Sequence, residues 1–505
     1  MIIVDINRLL YIHSDIIKIS NMYTQNKKII CVDLDGTFIQ TDMLHESFVY
    51  SFLRNPLIIF LCAYWIVFGG KTFLKKKLAQ HFSFDPSLLP INRSVFNLIK
   101  QKKSIGYKIY LVSASTDSIV RSIYKYYSDI FDGYYSTNSI FANLENINLE
   151  GEVKAKFIQK EFCNCEVEYI GNSNADIEIW KICKKAYAVS VTKKFSSDLD
   201  IEYLKPNKNS TLLKLFFSQL RIHQWIKNIL VFIPVIATHQ LLSSQIYFNC
   251  LLGFLAFSLV ASVVYVINDL FDLENDRSHY KKKYRPLASG DLSLLNGIVI
   301  AFFCLVSGCV LAYSISSIFL ILIIIYIIIN FAYSFKIKKI AALDCILLSI
   351  LYSYRIFLGI IIANLTVSVW LISFSFFIFL ALAYIKRYTE LYSLKNFKIV
   401  KTKGRGYQVK DMPVVIGMSI ASGFLSVLVL DIYFSSEEIR QTFKTIWISY
   451  FCIPLLLYWL SRVFIKTVRG NMSEDPIKFA LKDKISLFTG CLFVLFFLFG
   501  ATIKL

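Results

Sequence analysis

Charge is scarce in this chain. Of its 505 residues only 18% are Asp, Glu, Lys or Arg and 56% are hydrophobic, whereas ordinary soluble domains carry roughly 25% charge. That balance excludes intrinsic disorder. Nineteen glycines and nine prolines are too few for a collagen-like chain. The eleven cysteines contain no CxxC pair, and Cys163 with Cys165 is their only close couple, so a disulfide scaffold is excluded. Several lie inside apolar runs, where a thiol acts as a small hydrophobe, and they are read as reduced and structural. A cleavable leader is not expected, because Asp5, Arg8, Asp15 and Lys18 interrupt the first twenty residues.

Acidic charge is scarcest of all in the second half. Residues 1–210 hold 26 basic and 21 acidic side chains, whereas the remaining 295 residues hold 29 and 14. The overall net charge of +20 would in a soluble protein point to nucleic acid. Here it coincides with long apolar runs, so anionic headgroups and phosphates are the expected partners and no nucleic acid is. The shift in composition divides the chain into a domain at 1–205, a linker at 206–220 and a membrane domain at 221–505. Nine apolar stretches approach the ~20 residues needed to cross a bilayer, at 228–244, 247–267, 294–314, 316–333, 342–363, 366–385, 413–432, 445–465 and 486–503. The connections at 268–293, 334–341, 386–412 and 466–485 are strongly basic, and those between them carry little charge or a mixture. That alternation predicts an integral protein of a bacterial inner membrane, with the basic loops and the N-terminal domain cytoplasmic.

In the first half, the apolar run Ile29–Val32 leads into Asp33-Leu34-Asp35-Gly36-Thr37, and Ile109–Val112 ends at Ser113. Lys154 follows, then Gly171-Asn172-Ser173-Asn174-Ala175-Asp176. Short apolar strands ending in polar residues, with helical stretches between, predict a parallel α/β sheet whose site lies at the carboxyl ends of its strands. The ordered set resembles the haloacid-dehalogenase phosphatase superfamily, a Rossmann-like fold with a cap insertion, placed here at about 41–100. The resemblance implies that Asp33 is the nucleophile and that Asp35 protonates the leaving group and activates water. Ser113 and Lys154 would hold the phosphoryl oxygens, and Asp33, Asp35, Asn172 and Asp176 would hold Mg²⁺. Asn172 stands where the superfamily usually has aspartate, which removes one negative charge from the metal site. Within the insertion, Pro56–Phe68 is 13 residues, too short to span; a cap core or a segment lying on the bilayer surface is expected.

The second station follows the second apolar stretch. Asn268-Asp269-Leu270-Phe271-Asp272-Leu273-Glu274-Asn275-Asp276 precedes His279, three lysines and Arg285-Pro286-Leu287-Ala288-Ser289-Gly290. At about 100° per residue, Asp269, Asp272 and Asp276 fall on one helical face. Like charges so close call for a neutralising cation, and Mg²⁺ shared with a diphosphate is the natural one. The pattern resembles the UbiA superfamily of intramembrane prenyltransferases across roughly 215–505. Arg221–Asn228, Tyr333–Lys336, Lys386–Glu390, Gly404–Tyr407 and Asp475–Asp483 resemble its polyprenyl-phosphate phosphoribosyltransferase branch. The sixth stretch carries Lys386, Arg387 and only Glu390 where prenyl-diphosphate enzymes have a second acidic motif. By the resemblance, Lys227, Asn268, His279, Arg285, Lys336, Asp344, Arg355, Lys386, Arg387 and Glu390 would bind substrate. Asp344 and Arg355 share a helical face inside the membrane half, where ionisable groups are costly and line cavities.

The sequence is therefore read as an α/β domain joined to an all-α polytopic membrane domain of about nine helices. The expected activity is Mg²⁺-dependent transfer of 5-phosphoribose from phosphoribosyl diphosphate to polyprenyl phosphate, the attached phosphatase then acting on the product. Its rivals are prenyl transfer from a prenyl diphosphate to an aromatic or other acceptor, and a membrane scaffold or transporter with a phosphate-sensing domain. The oligomeric state is open.

Overall fold

The computed structural model describes residues 27–137, 148–189, 200–205, 211–237, 244–396, 405–437, 443–473 and 475–502. The described residues form two compact units, one within Met1–Gln219 and Val266–Ile300, the other within Leu220–Tyr265 and Ala301–Leu505. Most of the expected linker, 206–210, lies outside the described residues.

The first unit contains a six-stranded parallel sheet, as the strand-like runs predict. Its strands are β1 (Lys27–Val32), β2 (Lys108–Ser113), β3 (Gly133–Ser136), β4 (Cys165–Gly171), β5 (Lys185–Val189) and β6 (Ile201–Leu204), in the order β3-β2-β1-β4-β5-β6. Helices pack on both faces. Ile30 and Val32 face Val95, Ile99, Ile119 and Val120, whereas Ile29 and Cys31 face Ala155, Ile158 and Ile179. A strand covered on both sides must be apolar throughout, which is why Ile29–Val32 does not alternate. The strand order reverses between β1 and β4, so the chain leaves the sheet at Asp33 and at Asn172 on either side of the switch point, where such sheets bind ligands.

Among the described residues, nine helices are long and apolar enough to cross a membrane. Eight match expected stretches: Ser244–Phe271, Leu294–Ile315, Ser317–Lys339, Leu343–Ile362, Val369–Asn396, Val409–Ser435, Ile446–Val468 and Lys484–Thr502. Two expectations need correction. The stretch at 228–244 is a short apolar helix, Ile222–Ile236, most of it in tight 3₁₀ winding. Packing holds it: a Cβ on Gly359 would lie 2.1 Å from the Val231 carbonyl oxygen, so only glycine admits this approach. The 13-residue run at 56–68 belongs to a longer helix, Ile58–Gln80, broken at Gly70, which has φ 69°; most of it is exposed rather than in a cap core.

Burial on both faces makes β1 the element least tolerant of truncation. Ile30→Ala is expected to destabilise the first unit by about 3 kcal/mol, and Ile105→Ala, at an exposed position, by less than about 0.5 kcal/mol. Thermal unfolding followed by protease protection of the N-terminal unit in detergent checks both.

Candidate functional site

The turn after β1 places two carboxylates side by side in sequence and apart in partners. Gly36 adopts φ 71°, and its amide closes the turn onto the Thr41 carbonyl at 3.1 Å. Asp33 accepts from Lys154 Nζ at 2.6 Å and from Thr37 Oγ1 at 3.5 Å. Asp35 accepts from the Met43 amide at 2.8 Å and from Ser115 Oγ at 2.6 Å. Ser113, at the end of β2, uses its hydroxyl to accept the Ser115 amide at 3.0 Å, so it shapes the loop that brings Ser115 to Asp35. Lys75 Nζ donates to the Ala114 carbonyl in that loop at 3.0 Å.

The β4 end supplies the opposite wall. A Cβ on Gly36 would lie 2.1 Å from Asn172 Nδ2, so the amide of Asn172 lies directly over the turn. Asp176 is nearly saturated: its Oδ2 accepts from the Asn172 amide, the Ser173 amide and Ser173 Oγ, and its Oδ1 from the Tyr169 hydroxyl. Asp176 therefore fixes the shape of the Asn172 loop. The contributions of Thr37, Lys75, Ser115 and Tyr169 follow from tertiary placement; only Thr37, adjoining the acidic box, carries a local sequence signal.

In the same unit lies the acid-rich segment. The helix Ser244–Phe271 ends just before Asp272, and Leu273–Ser278 forms a further short helix. Asp269 and Asp276 converge on one guanidinium nitrogen, Arg285 Nη1, at 3.0 and 2.5 Å. Asp269 also accepts from Gln219 Nε2 at 3.1 Å. Asp272 occupies the junction between the helices, and its amide donates to the Asn268 carbonyl at 2.9 Å. His279 turns back on its own loop, Nδ1 accepting from the Lys281 and Lys282 amides. Burial raises the Asp276 carboxyl above the usual range, while Arg285 opposes that rise. Asp276 Oδ1 is buried without a hydrogen-bond partner, with Lys282 Nζ 3.9 Å away. An orphaned buried carboxylate oxygen is costly, and hard oxygen donors suit Mg²⁺. Among the described residues no three His, Cys, Asp or Glu gather closely enough to hold a metal by themselves.

The segment after the acids reaches the Asp35 turn. Arg277 makes a two-pronged ion pair with Glu46, at 3.2 and 2.6 Å, and donates to the Ala288 carbonyl at 3.2 Å. Both side chains are about 95% buried, and Thr41 Oγ1 completes Glu46 at 2.7 Å. Gly290, at φ 75°, sits so near Gln40 that a Cβ would come within 2.9 Å of it. A cleft of about 160 Å³ is lined on one side by Asp35, Asp42, His45 and Asn172, and on the other by Gly290, Leu292 and Ser293.

The second unit holds a basic constellation. Arg387 Nε pairs with Asp344 at 2.5 Å and its Nη1 with Glu390 at 2.9 Å. Tyr407 donates to Asp344 at 2.6 Å, and Arg405 lies 3.3 Å from Glu390. A Cβ on Gly406 would meet the Lys339 carbonyl at 2.6 Å, so this glycine lets Tyr407 reach Asp344. Lys227 pairs with Asp475 at 3.1 Å, and Asp475 caps the helix Pro476–Ala480. Burial works to raise the Asp475 carboxyl, but Lys227 outweighs it and holds the group low. Lys386 is within electrostatic reach of Arg387, Lys227, Arg405 and Asp475. Lys336 is exposed at the end of the helix Ser317–Phe335. Asp344 and Arg355 do not pair: Arg355 donates to Asn228 Oδ1 at 3.0 Å and lies 5.1–5.9 Å from the rings of Phe257, Tyr326 and Tyr352. Asn228, Arg405, Tyr407 and Asp475 are partners of the expected site residues that apolar periodicity alone does not reveal.

Burial raises both Asp33 and Asp35; Lys154 opposes the rise at Asp33, and Asp42 adds to it at Asp35. A carboxyl raised on folding contributes stability below its unfolded pKa near 4 and loses it as pH climbs through the higher folded value. The metal-free first unit is therefore expected to melt lower at pH 8 than at pH 5. Asp35→Asn should reduce that difference, and added Mg²⁺ should raise the melting temperature more at pH 8. Melting curves at the two pH values, with and without the ion, measure this.

Comparison with known proteins agrees with the second half of the chain. Residues 229–488 match the UbiA prenyltransferase family. The uncharacterized protein y4nM of Sinorhizobium fredii is 34% identical over 474 residues, covering 92% of this chain and 89% of that protein. Nodulation protein NoeC of Azorhizobium caulinodans is 33% identical, over 53% of this chain and 87% of that one. Decaprenyl-phosphate phosphoribosyltransferase of Mycolicibacterium smegmatis is 27% identical, over 55% and 89%. The apolar helices and the family match together make this an integral membrane protein, and the chain belongs to the UbiA prenyltransferase family.

Proposed function

We propose that the protein transfers 5-phosphoribose from phosphoribosyl diphosphate to a polyprenyl phosphate, and that its N-terminal unit is a haloacid-dehalogenase-type phosphatase that removes the 5-phosphate from the lipid-linked product. The observation that carries the reading is the basic constellation of Arg387, Lys386, Arg405 and Lys227. A donor with a second phosphate group, far from its diphosphate, calls for cations in addition to an acidic metal-binding segment. The phosphoribosyltransferase name of the mycobacterial relative supports the same donor class.

Mg²⁺ bound by Asp269, Asp272 and Asp276, with Asn268 assisting, would neutralise the diphosphate and make it a better leaving group. Arg285, which bridges Asp269 and Asp276, would turn from the acids to the diphosphate. The C1–oxygen bond of the ribose breaks, its electron pair leaving on diphosphate. An oxygen of the polyprenyl phosphate then forms the new bond at C1. Lys227, Lys336, Lys386 and Arg387 would orient phosphates, with Asp344 and Glu390 holding Arg387 in place.

In the phosphatase step, Asp33 would attack the 5-phosphorus while Asp35 donates a proton to the departing sugar oxygen; Asp35 would then take a proton from the water that hydrolyses the aspartyl-phosphate. Lys154 would balance charge on the phosphoryl oxygens. The carboxylates and the Asn172 amide offer oxygen donors suited to Mg²⁺ with one charge fewer than a third acid would give. The segment 277–294 supports coupling, since it contains Arg285 and also lines the Asp35 cleft. The basic loops support a cytoplasmic setting for both steps.

Purified protein given labelled phosphoribosyl diphosphate and polyprenyl phosphate is expected to form labelled lipid, and Asp276→Asn to lower the rate at least ~100-fold, a loss of about 2.7 kcal/mol of transition-state stabilisation. Asp33→Asn should leave that transfer intact and accumulate lipid product that retains its 5-phosphate, resolved by mass spectrometry. The family name keeps prenyl transfer as a second reading: no labelled lipid from this donor, together with turnover of a prenyl diphosphate, would select it.

A further inference from the structure

The helix Ile58–Gln80 is divided at Gly70, and its two parts differ in character. From Ile58 to Phe68 it carries no charge. One stripe, formed by Ile58, Cys62 and Trp65, packs on Leu44, Phe48, Leu74 and Leu78 of its own unit. Around that stripe the surface is apolar and open: Leu57 is 65% exposed, Phe60 71%, and Val67 and Phe68 each 75%. Such a patch is unusual on a surface facing water. Charge marks its ends, with Arg54 before it and Lys71, Lys76 and Lys77 after it, and no acidic residue occurs between Glu46 and Asp85.

We infer that the arm Leu57–Phe68 lies in the plane of the membrane, seated at the boundary between headgroups and acyl chains of an anionic leaflet. Two features select this over a membrane crossing. The uncharged stretch gives about 17 Å of helix at 1.5 Å per residue, against a hydrocarbon core of about 30 Å, and its docked stripe ties one side to the protein along its length. An in-plane helix buries one apolar face by about 5–10 Å and gains from anionic lipids at its basic ends.

The inference deepens the phosphatase reading and rests on it for the substrate alone. Past Gly70 the chain passes beside the Asp35 turn that lines the cleft, where Lys75 donates to the Ala114 carbonyl next to Ser115, the partner of Asp35. An arm held at headgroup level keeps this cleft within reach of a phosphate monoester carried on a lipid.

The test uses the full chain in nanodiscs containing phosphatidylglycerol, with a fluorescent amino acid at Phe60, Phe68 or, as control, Ile105. Lipids brominated near the headgroup are expected to quench Phe60 and Phe68 positions at least twofold more than Ile105, and more than lipids brominated near the chain ends. Quenching no greater than at Ile105 overturns the seat, and stronger quenching by deep bromines replaces it with a crossing. In parallel, Phe60→Ser/Val67→Ser should lower phosphate release from the lipid-linked product at least fivefold while hydrolysis of soluble p-nitrophenyl phosphate is unchanged; equal loss on both overturns the link to a lipid substrate. Should the parent protein hydrolyse neither compound, the phosphatase reading falls, and the quenching still decides where the arm lies.

Discussion

Two buried carboxylates held by one guanidinium are the constraint around which the acidic segment is built. Asp269 and Asp276 are seven residues apart and repel one another, yet both are almost wholly buried. Arg285 makes that burial tolerable, because an uncompensated charge in such a place costs several kcal/mol. The arrangement is incomplete in one respect, since Asp276 Oδ1 has no hydrogen-bond donor. The acids are thus almost, but not wholly, neutralised by the residues around them.

The same logic of cation and acid recurs in the second unit, with the signs weighted the other way. There Arg387 is buried and donates to Asp344, Glu390 and the Tyr333 hydroxyl, while the Tyr407 hydroxyl donates to Asp344. Inside a bundle of apolar helices, Arg387 and Tyr407 meet the two oxygens of Asp344. Arg355 is handled differently, by an amide and three aromatic rings, which attract a cation through their negative faces.

Much of this was legible in the sequence. The parallel sheet follows from apolar runs ending in polar residues, and eight long membrane helices follow from length and composition. The two acid boxes announce themselves because acids are rare nearby. What could not be read is whatever depends on contact between distant residues. Ser115 lies two residues beyond the expected serine and reaches Asp35 from a loop that the Ser113 hydroxyl helps to shape. Asp344 and Arg355 share a helical face, and their partners Arg387 and Asn228 come from other segments, which spacing alone does not show. The stretch at 228–244 has the composition of a span; the close approach of Val231 to Gly359 and its tight winding shorten it. The run at 56–68 shows as uninterrupted apolar sequence, but the second helical part that follows the break at Gly70 carries the lysines and is not announced by apolar composition.

The Glu46–Arg277 pair bears on how this chain can be divided. Glu46 stands in the insertion after the first acid box, Arg277 more than two hundred residues later, and each satisfies the other in the interior of one compact unit. A fragment ending at the boundary that composition marks near residue 205 would retain the glutamate and lose its counter-ion, along with the glycine turn that packs on Gln40. Such a fragment would leave the interior carboxylate without its two-pronged partner. The compact unit that holds this pair is therefore a discontinuous piece of polypeptide.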